Sequence, residues 1–519
     1  MAATRNSRTV RNSKGEAASP RRFAWAAPVL VILLLSLWSA AAIRYVSSRG
    51  WLLYYGDAEA HLNIARRVFD SRTPGYDQIG TVWLPLPHAL MLPFVRDDGW
   101  WRSGLAGSMP MGACFVLGGA FLFAAVRRAF ASGAAGAAAV ALVAANPNLM
   151  YLQSIAMTEA AWFAALAALL YFGVRFRDTQ GWGALAGAGI AACAGTLTRY
   201  EGWFLLPFAA LYFLLAAKER GVAKAAVFAA LACLGPLYWL AHNWWLTGDP
   251  LEFYRGPYSA RAIQGHADYP GHGDWGKAWL QFRAAVELCA GKALPWIALP
   301  GAVVALVRRA WWLLPASALP GVFYLWSIHS AGTPIFVPTL WPHSYYNTRY
   351  GLALLPLLAA ASAALVTVAP RRWRAAMAAL VVAAGSVEWA VDPRPDAWVT
   401  WKESQVNSEA RRAWTREAAD YLAPQYVSGA GIITSFGDLS GIFRTAGIPL
   451  RETFTGDNGL PFEATLKRPG LFLHQEWAVV VGGDAVQTAV WKAPRFGIHY
   501  QLKQSIVVKG APVIEIYRR

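Results

Sequence analysis

Long apolar blocks are the feature of this sequence that most limits its fold. Eleven blocks of about 20 residues recur up to residue 391, and a helix of about 20 apolar residues spans a hydrocarbon core of ~30 Å. Only 15% of the residues are charged, against about a quarter in soluble domains. We therefore predict an α-helical polytopic membrane protein with about eleven transmembrane helices. The blocks are 23–43, 108–126, 132–150, 157–174, 182–198, 203–217, 223–246, 293–307, 311–329, 350–369 and 375–391.

Basic residues sort the connections between these blocks into two sets. The N-terminal tail 1–22 and alternate hairpins are rich in arginine and lysine, whereas the remaining short turns contain only Arg199 and Arg349. The positive-inside rule then predicts a multi-pass protein of the cell (inner or plasma) membrane with its N-terminus in the cytoplasm and its C-terminus outside. This topology accounts for much of the net charge of +17, and the basic residues also attract membrane lipids. The charge does not call for a nucleic-acid partner.

The sequence predicts three regions. They are a basic cytoplasmic tail (1–22), a transmembrane domain (23–391) and a small extracytoplasmic α/β domain (392–519). The first outer loop, 44–107, contains apolar segments too short to span, so we expect interfacial helices there. A second long outer loop covers 247–292. In the last region periodicity predicts a helix and four strands, namely 407–422, 431–436, 477–482, 505–509 and 513–517.

Polar clusters fall at the predicted outer ends of the spans. Asp57 and His61 are four residues apart and share a helix face, while Glu59 points elsewhere. Each cluster also has a structural interpretation: a helix cap for Asp57, a dipole partner for Glu159, a snorkelling side chain for Arg349. The candidate residues are Asp57, Glu59, His61, Glu159, Arg199, Tyr200, Glu201, Tyr346 and Arg349.

Together these clusters bring carboxylates and arginines from separate parts of the chain to one membrane face. A carboxylate can take a proton from an acceptor hydroxyl. The arginine fork suits phosphate oxygens and keeps its charge. This combination fits a reaction in which a phosphate leaves at the outer leaflet.

The same residues resemble those of a known superfamily. Gly56-Asp57-Ala58-Glu59, Thr158-Glu159, Thr198-Arg199-Tyr200-Glu201 and Asn347-Thr348-Arg349-Tyr350 look like motifs of the GT-C membrane glycosyltransferases. The resemblance covers roughly residues 20–370 and is nearest to the dolichyl-phosphate-mannose protein mannosyltransferase and aminoarabinose transferase group. It implies transfer of a hexose or pentose from a polyprenyl-phosphate donor to a protein, glycan or lipid acceptor.

The resemblance also implies roles for the candidate residues. Asp57 carries the general-base position, Glu159 the second acid, and Arg199 and Arg349 the residues that hold the donor phosphate. From their places beside these positions, we expect Glu59 to be a further catalytic residue and His61, Tyr200, Glu201 and Tyr346 to be substrate-binding residues.

Metal dependence stays open in the sequence. The spaced acids Asp57 and Glu59 resemble those of the metal-dependent oligosaccharyltransferases, whereas the protein mannosyltransferases work without metal. Both carboxylates could serve Mg²⁺ or Mn²⁺. The loop residues His266, His272 and Asp274 are a second potential ligand group.

Other classes of function compete with a transferase. A multi-span transporter or lipid-linked sugar flippase usually has ionisable groups at mid-membrane and two related halves, and neither feature is evident here. A non-catalytic assembly or lipid-binding subunit and a polysaccharide polymerase or ligase are further alternatives.

Overall fold

The computed structural model describes residues 26–265, 268–435 and 437–519. The predicted basic tail 1–22, the first residues of the first predicted span and His266 lie outside this part. Every apolar block is mostly helical where it is described. The helices up to residue 391 are α1 (Ala26–Ser48), α2 (Gly56–Arg67), α3 (Leu86–Met91), α4 (Asp98–Ser103), α5 (Leu105–Ala129), α6 (Gly133–Ala144), α7 (Pro147–Gln153), α8 (Glu159–Thr179), α9 (Trp182–Thr196), α10 (Glu201–Ala216), α11 (Gly221–Ala232), α12 (Leu234–Thr247), α13 (Glu252–Arg255), α14 (Ala260–Gln264), α15 (Trp275–Ala290), α16 (Ala293–Val307), α17 (Leu313–Ser330), α18 (Leu355–Ala364), α19 (Arg374–Gly385) and α20 (Val387–Val391).

Membrane-crossing capacity differs among these helices. By length and composition, five stretches within the described residues can cross a membrane, and the number rises to seven if each of two bent pairs forms one span. The helices α9 and α10 are apolar but shorter, with 15 and 16 residues. The predicted blocks are thus helices, while a full count of eleven crossings stays a prediction.

One predicted span is sharply broken. The apolar block 132–150 predicts one continuous helix, but α6 and α7 meet at an angle of 73°. Asn146 begins α7 by accepting a hydrogen bond from the backbone of Leu149 at 3.0 Å, and Pro147 at the first helical position cannot donate to the preceding turn. Local capping therefore overrides the apolar pattern here.

The C-terminal region is an α/β unit around one five-stranded sheet. Its strand order is β2-β1-β3-β5-β4, with β1 parallel to β2 and β3, and β5 antiparallel to β3 and β4. One face of the sheet packs on α21 and α22, and the other packs on α23 and α25. The elements are α21 (Val399–Leu422), β1 (Ile432–Thr434), α22 (Ser440–Ala446), β2 (Thr453–Phe454), α23 (Leu460–Lys467), α24 (Pro469–Phe472), β3 (Trp477–Val481), α25 (Ala485–Lys492), β4 (Gln501–Ile506) and β5 (Ile514–Arg518).

The helix α21 connects this unit to the N-terminal helices. It begins at Val399, two turns before the predicted start at residue 407. Its first turns pack among the N-terminal helices, where the Thr400 amide donates to the Asn148 side chain at 3.0 Å and Ser404 contacts the Tyr151 hydroxyl at 2.8 Å. Because these buried residues are polar, the first turns of α21 lack apolar periodicity, and the helix predicted from the sequence begins too late. The strand predicted at 505–509 lies earlier, at 501–506, and the two-residue strand β2 was not predicted.

The segment that leads into Glu159 depends on a close helix approach. A Cβ atom at Gly107, in the first turn of α5, would lie 2.3 Å from the Cβ and 2.8 Å from the Cα of Ala156. The absence of a side chain lets α5 pack directly against the turn before α8.

We expect Gly107→Ala to destabilise the protein by about 1–3 kcal/mol, because the added methyl overpacks a backbone contact. Thermal unfolding of the purified protein in detergent would measure the change. The matched control is Gly183→Ala in α9, where the new Cβ meets nothing within 4 Å and alanine favours the helix. Equal stability of the two variants would contradict the predicted overpacking.

Candidate active site

The first turn of α2 presents Asp57 to an arginine from a distant part of the chain. The Asp57 carboxylate accepts a hydrogen bond from Arg349 Nη2 at 2.7 Å, and its side chain remains 39% exposed. Asp57 therefore pairs with a residue that is distant in the sequence. The structural alternative considered for Asp57 in the sequence is a helix cap.

Arg349 is buried and contacts four acidic or phenolic groups from three segments of the chain. It donates from Nη1 to the Tyr55 hydroxyl at 2.9 Å. Its Nε lies 3.2 Å from Glu159, and its Nη1 lies 3.8 Å from Glu403. With the Asp57 contact, these interactions hold the guanidinium inside the protein, in contrast to the snorkelling arginine of the alternative interpretation.

Arg199 forms a second centre beside the first. It donates to Thr158 at 2.6 Å, to Glu201 at 2.6 Å and to the Tyr324 hydroxyl at 2.6 Å. It also donates to Glu159 Oε1 at 3.1 Å. Because the same oxygen of Glu159 faces Arg349, this one carboxylate connects the two arginines.

Glu403 on α21 is a site residue that the sequence did not identify. Its carboxylate accepts from the backbone amides of Asn347 and Thr348, both at 2.9 Å, and from the Tyr55 hydroxyl. Burial raises the pKa of Tyr55 well above its usual value, so the phenol keeps the proton that it donates. Glu403 thereby fixes the backbone that carries Arg349.

His61 lies on the Asp57 face of α2, as the spacing predicts, and pairs with a second buried histidine. The His61 Nδ1 and His88 Nε2 atoms are 2.8 Å apart, and the His61 ring lies 4.3 Å from that of Trp83. Burial, reinforced by Arg349 and Arg199, lowers the pKa of His61 to about 3. Burial also lowers the pKa of His88. Both rings are therefore neutral near pH 7.

Glu59 points away from Asp57 and contacts the C-terminal unit. It forms ion pairs with Arg411 at 3.1 Å and with Arg444 at 3.0 Å. A further pair joins Arg67 of α2 to Asp457 at 2.9 Å. The helix that presents Asp57 is thus clamped by charges from the C-terminal unit.

The other predicted residues lie around the same centre. Glu201 accepts from Arg199 and from the Tyr324 hydroxyl, the latter at 2.7 Å. The hydroxyl of Tyr200 donates to the Val82 carbonyl at 2.7 Å. Tyr346 is 42% exposed and lines a cavity with Asp57.

Two cavities adjoin at Asp57 and Arg349, which line both. The larger has a volume of about 520 Å³ and is walled by α2 and the C-terminal unit. The smaller has a volume of about 210 Å³ and a more aromatic wall. Further lining residues of the larger cavity include Glu59, Glu403, Arg411, Ser435 and Asp438, and those of the smaller include His61, Trp83, Arg199, Tyr200, Phe253 and Tyr324.

The acidic residues do not fit a divalent-cation site. Asp57 and Glu59 both line the larger cavity, but each carboxylate is paired with an arginine, Asp57 with Arg349 and Glu59 with Arg411. Among residues 26–265, 268–435 and 437–519, no group of three or more His, Cys, Asp or Glu side chains converges as metal ligands would.

Comparison with known proteins agrees with this architecture. The family model of dolichyl-phosphate-mannose-protein mannosyltransferases matches residues 102–245. The structure is similar to ArnT from Cupriavidus metallidurans bound to undecaprenyl phosphate, with a TM-score of 0.55, 13% identity, and coverage of 92% of this chain and 97% of that one.

The archaeal oligosaccharyltransferase AglB from Archaeoglobus fulgidus, in complex with an inhibitory peptide and a dolichol-phosphate, is also similar, with a TM-score of 0.51 and 14% identity over 95% of this chain and 74% of that one. A comparison with curated proteins gave no match. The chain therefore has the GT-C fold of membrane glycosyltransferases, as the sequence resemblance implies.

The neutral state of His61 predicts an acid-sensitive fold. The unfolded chain protonates this histidine below pH ~6.5, whereas the folded chain does so only near pH 3. Stability should therefore fall as the pH drops from ~6.5, by about 1.4 kcal/mol per pH unit for this group.

The variant His61→Asn should lose this part of the pH dependence, which unfolding in detergent between neutral and mildly acidic pH would measure. His343→Asn, at an exposed histidine, is the control and should follow the wild type. Parallel profiles for wild type and His61→Asn would show that the folded protein does not hold His61 neutral.

Proposed function

We propose that this chain transfers a hexose or pentose from a polyprenyl-phosphate donor to a hydroxyl of a glycan, protein or lipid acceptor. The observation that carries the proposal is the pairing of Asp57 with Arg349 where two cavities adjoin. One residue type suits an acceptor proton and the other suits a donor phosphate, and they are already 2.7 Å apart.

The smaller cavity is the proposed donor site. Arg199 and Arg349 line it, and a guanidinium fork binds phosphate oxygens well. Its aromatic wall suits the apolar start of a polyprenyl chain or the face of a sugar. The similar structures that contain undecaprenyl phosphate and dolichol-phosphate support this class of donor.

The larger cavity is the proposed acceptor site, because it lies between α2 and the polar edge of the C-terminal unit. The acceptor oxygen attacks the anomeric carbon, its proton passes to Asp57, and the bond from that carbon to the phosphate oxygen breaks. A single displacement of this kind inverts the anomeric configuration. Arg199 and Arg349 stabilise the charge that develops on the departing polyprenyl phosphate.

Glu159 serves the reaction by aligning both arginines. Its contacts of 3.1 Å to Arg199 and 3.2 Å to Arg349 fix the two guanidinium groups relative to one another. The sequence also allows Glu159 to orient the acceptor or to share the work of the base, but its contacts with both arginines favour the positioning role instead.

The surroundings fit a reaction protected from water. We propose that the segment 44–107 covers the donor and limits its hydrolysis, and that Glu59 holds α2 against the C-terminal unit. The proposed setting is the cell membrane, with the N-terminus in the cytoplasm and the 392–519 region outside.

Replacing the proposed base should abolish transfer. In a strain that lacks the gene, we expect Asp57→Asn not to restore the missing sugar, since losing a general base costs about a hundredfold or more in rate. Mass spectrometry of surface glycans, glycolipids and glycoproteins would measure it. Asp77→Asn, an exposed aspartate in the same segment, should restore the sugar fully.

Two outcomes would contradict this assignment. Full restoration of the sugar by Asp57→Asn would show that Asp57 is not the base. An unchanged sugar inventory in the strain that lacks the gene would contradict the transferase proposal as a whole and favour a non-catalytic lipid-binding subunit.

The arginines should determine the affinity for the donor lipid. Arg199→Lys and Arg349→Lys keep the charge but lose the fork, so each should weaken binding of undecaprenyl phosphate by about tenfold. Binding to the purified protein in detergent would be measured by titration. Arg283→Lys, at an exposed position on α15, is the control. Unchanged affinity in both site variants would place the phosphate elsewhere.

A further inference from the structure

A third cavity, outside the proposed active site, is strongly basic. It has a volume of about 560 Å³ and lies between the end of α1, the α4 turn and the C-terminal unit. Six arginines and a single carboxylate, Glu59, line it. The arginines are Arg49, Arg102, Arg411, Arg412, Arg416 and Arg444.

Most of this positive charge is not neutralised by the protein. Glu59 pairs with Arg411 and Arg444, and within the described residues the other four arginines have no carboxylate partner within ion-pair distance. Arg102 donates to the Gly447 carbonyl at 3.1 Å and Arg412 to the Ser408 hydroxyl at 3.1 Å, and both acceptors are neutral. Hydroxyl groups add further donors to the lining, from Ser47, Ser103, Thr415 and Thr445.

The cavity lies at the level where lipid headgroups are expected. Ser47 and Arg49 line it, and they stand at the end of α1, a helix long and apolar enough to span a membrane and only 11% buried by protein. The rings of Tyr45 and Trp51 at the same end are 5.8 Å apart. Tyrosine and tryptophan are enriched at membrane–water interfaces.

We propose that this basic cavity binds the phosphate headgroup of an anionic membrane lipid. Arginine forks bind phosphate oxygens, and clustered arginines beside a spanning helix attract anionic lipids. A lipid can enter from the exposed surface of α1, keep its acyl chains along that helix and place its phosphate among the arginines. The proposal does not depend on the transfer reaction.

The site is joined to the candidate active site by shared residues. Tyr54, Glu59 and Arg411 line both this cavity and the 520 Å³ cavity. A headgroup that binds the four unpaired arginines leaves the Glu59–Arg411 ion pair intact and offsets the repulsion among the positive charges around it. Lipid binding therefore stabilises the contact between α2 and the C-terminal unit.

The test uses the purified full chain in nanodiscs made from equal parts of phosphatidylglycerol and phosphatidylcholine. We expect lipids retained after gentle release to be enriched in phosphatidylglycerol, and the double variant Arg412→Gln/Arg416→Gln to lower that enrichment by about fivefold or more. The matched control is Arg468→Gln/Arg495→Gln, at two exposed arginines that do not line the cavity. Native mass spectrometry would count the retained lipids, and thermal unfolding would verify that each variant is folded.

Three results would overturn the proposal. They are no enrichment in the wild type, undiminished enrichment in the folded Arg412→Gln/Arg416→Gln variant, and an equal loss in the control variant. A separate arm adds inorganic phosphate to the wild type in phosphatidylcholine nanodiscs. If phosphate alone raises the unfolding temperature as much as phosphatidylglycerol does, the cavity binds a soluble anion and the lipid assignment is wrong.

Discussion

The assembly of the site depends on the ion pairs of the buried Arg349 guanidinium. Its partners Asp57, Glu159 and Glu403 come from α2, α8 and α21, three segments that are far apart in the chain. A charge removed from water is costly unless it is paired and hydrogen-bonded, and losing one partner of a buried pair costs about 3–5 kcal/mol. All three segments must therefore dock correctly to bring their carboxylates to the Arg349 guanidinium. A misplaced segment leaves a charge unpaired.

Local sequence patterns were sufficient to predict part of the arrangement of the candidate site. The long apolar blocks predicted most of the N-terminal helices, and the charge on the hairpins predicted that the polar clusters lie at one end of the spans. Since Asp57 and His61 are one helical turn apart, their common face followed from α2 alone. The proximity of Glu159, Arg199 and Arg349 followed from their shared position at the ends of spans, although no local pattern could show that one carboxylate would contact both arginines.

The residues that the sequence missed act through contacts between distant segments. Glu403 lies in an unremarkable polar stretch, and its importance appears only when the amides of Asn347 and Thr348 approach it. His88 has no distinguishing local pattern and becomes notable through its contact with His61. The bend between α6 and α7 had a local signal, the Asn146-Pro147 pair, but hydrophobicity outweighed it. Burial of polar groups is decided by tertiary packing, which periodicity does not report.

The continuity of α21 has a consequence for how such proteins can exchange parts. One helix contributes Glu403 to the N-terminal helices and Trp414 and Leu422 to the core of the C-terminal unit. A recombination point at the apparent boundary near residue 392 would therefore replace Glu403 together with the α/β unit and separate Arg349 from one of its carboxylates. A junction placed inside α21 after Ser404 would keep that carboxylate with its native neighbours. Modular exchange in this architecture thus favours breakpoints within a helix over breakpoints in a loop.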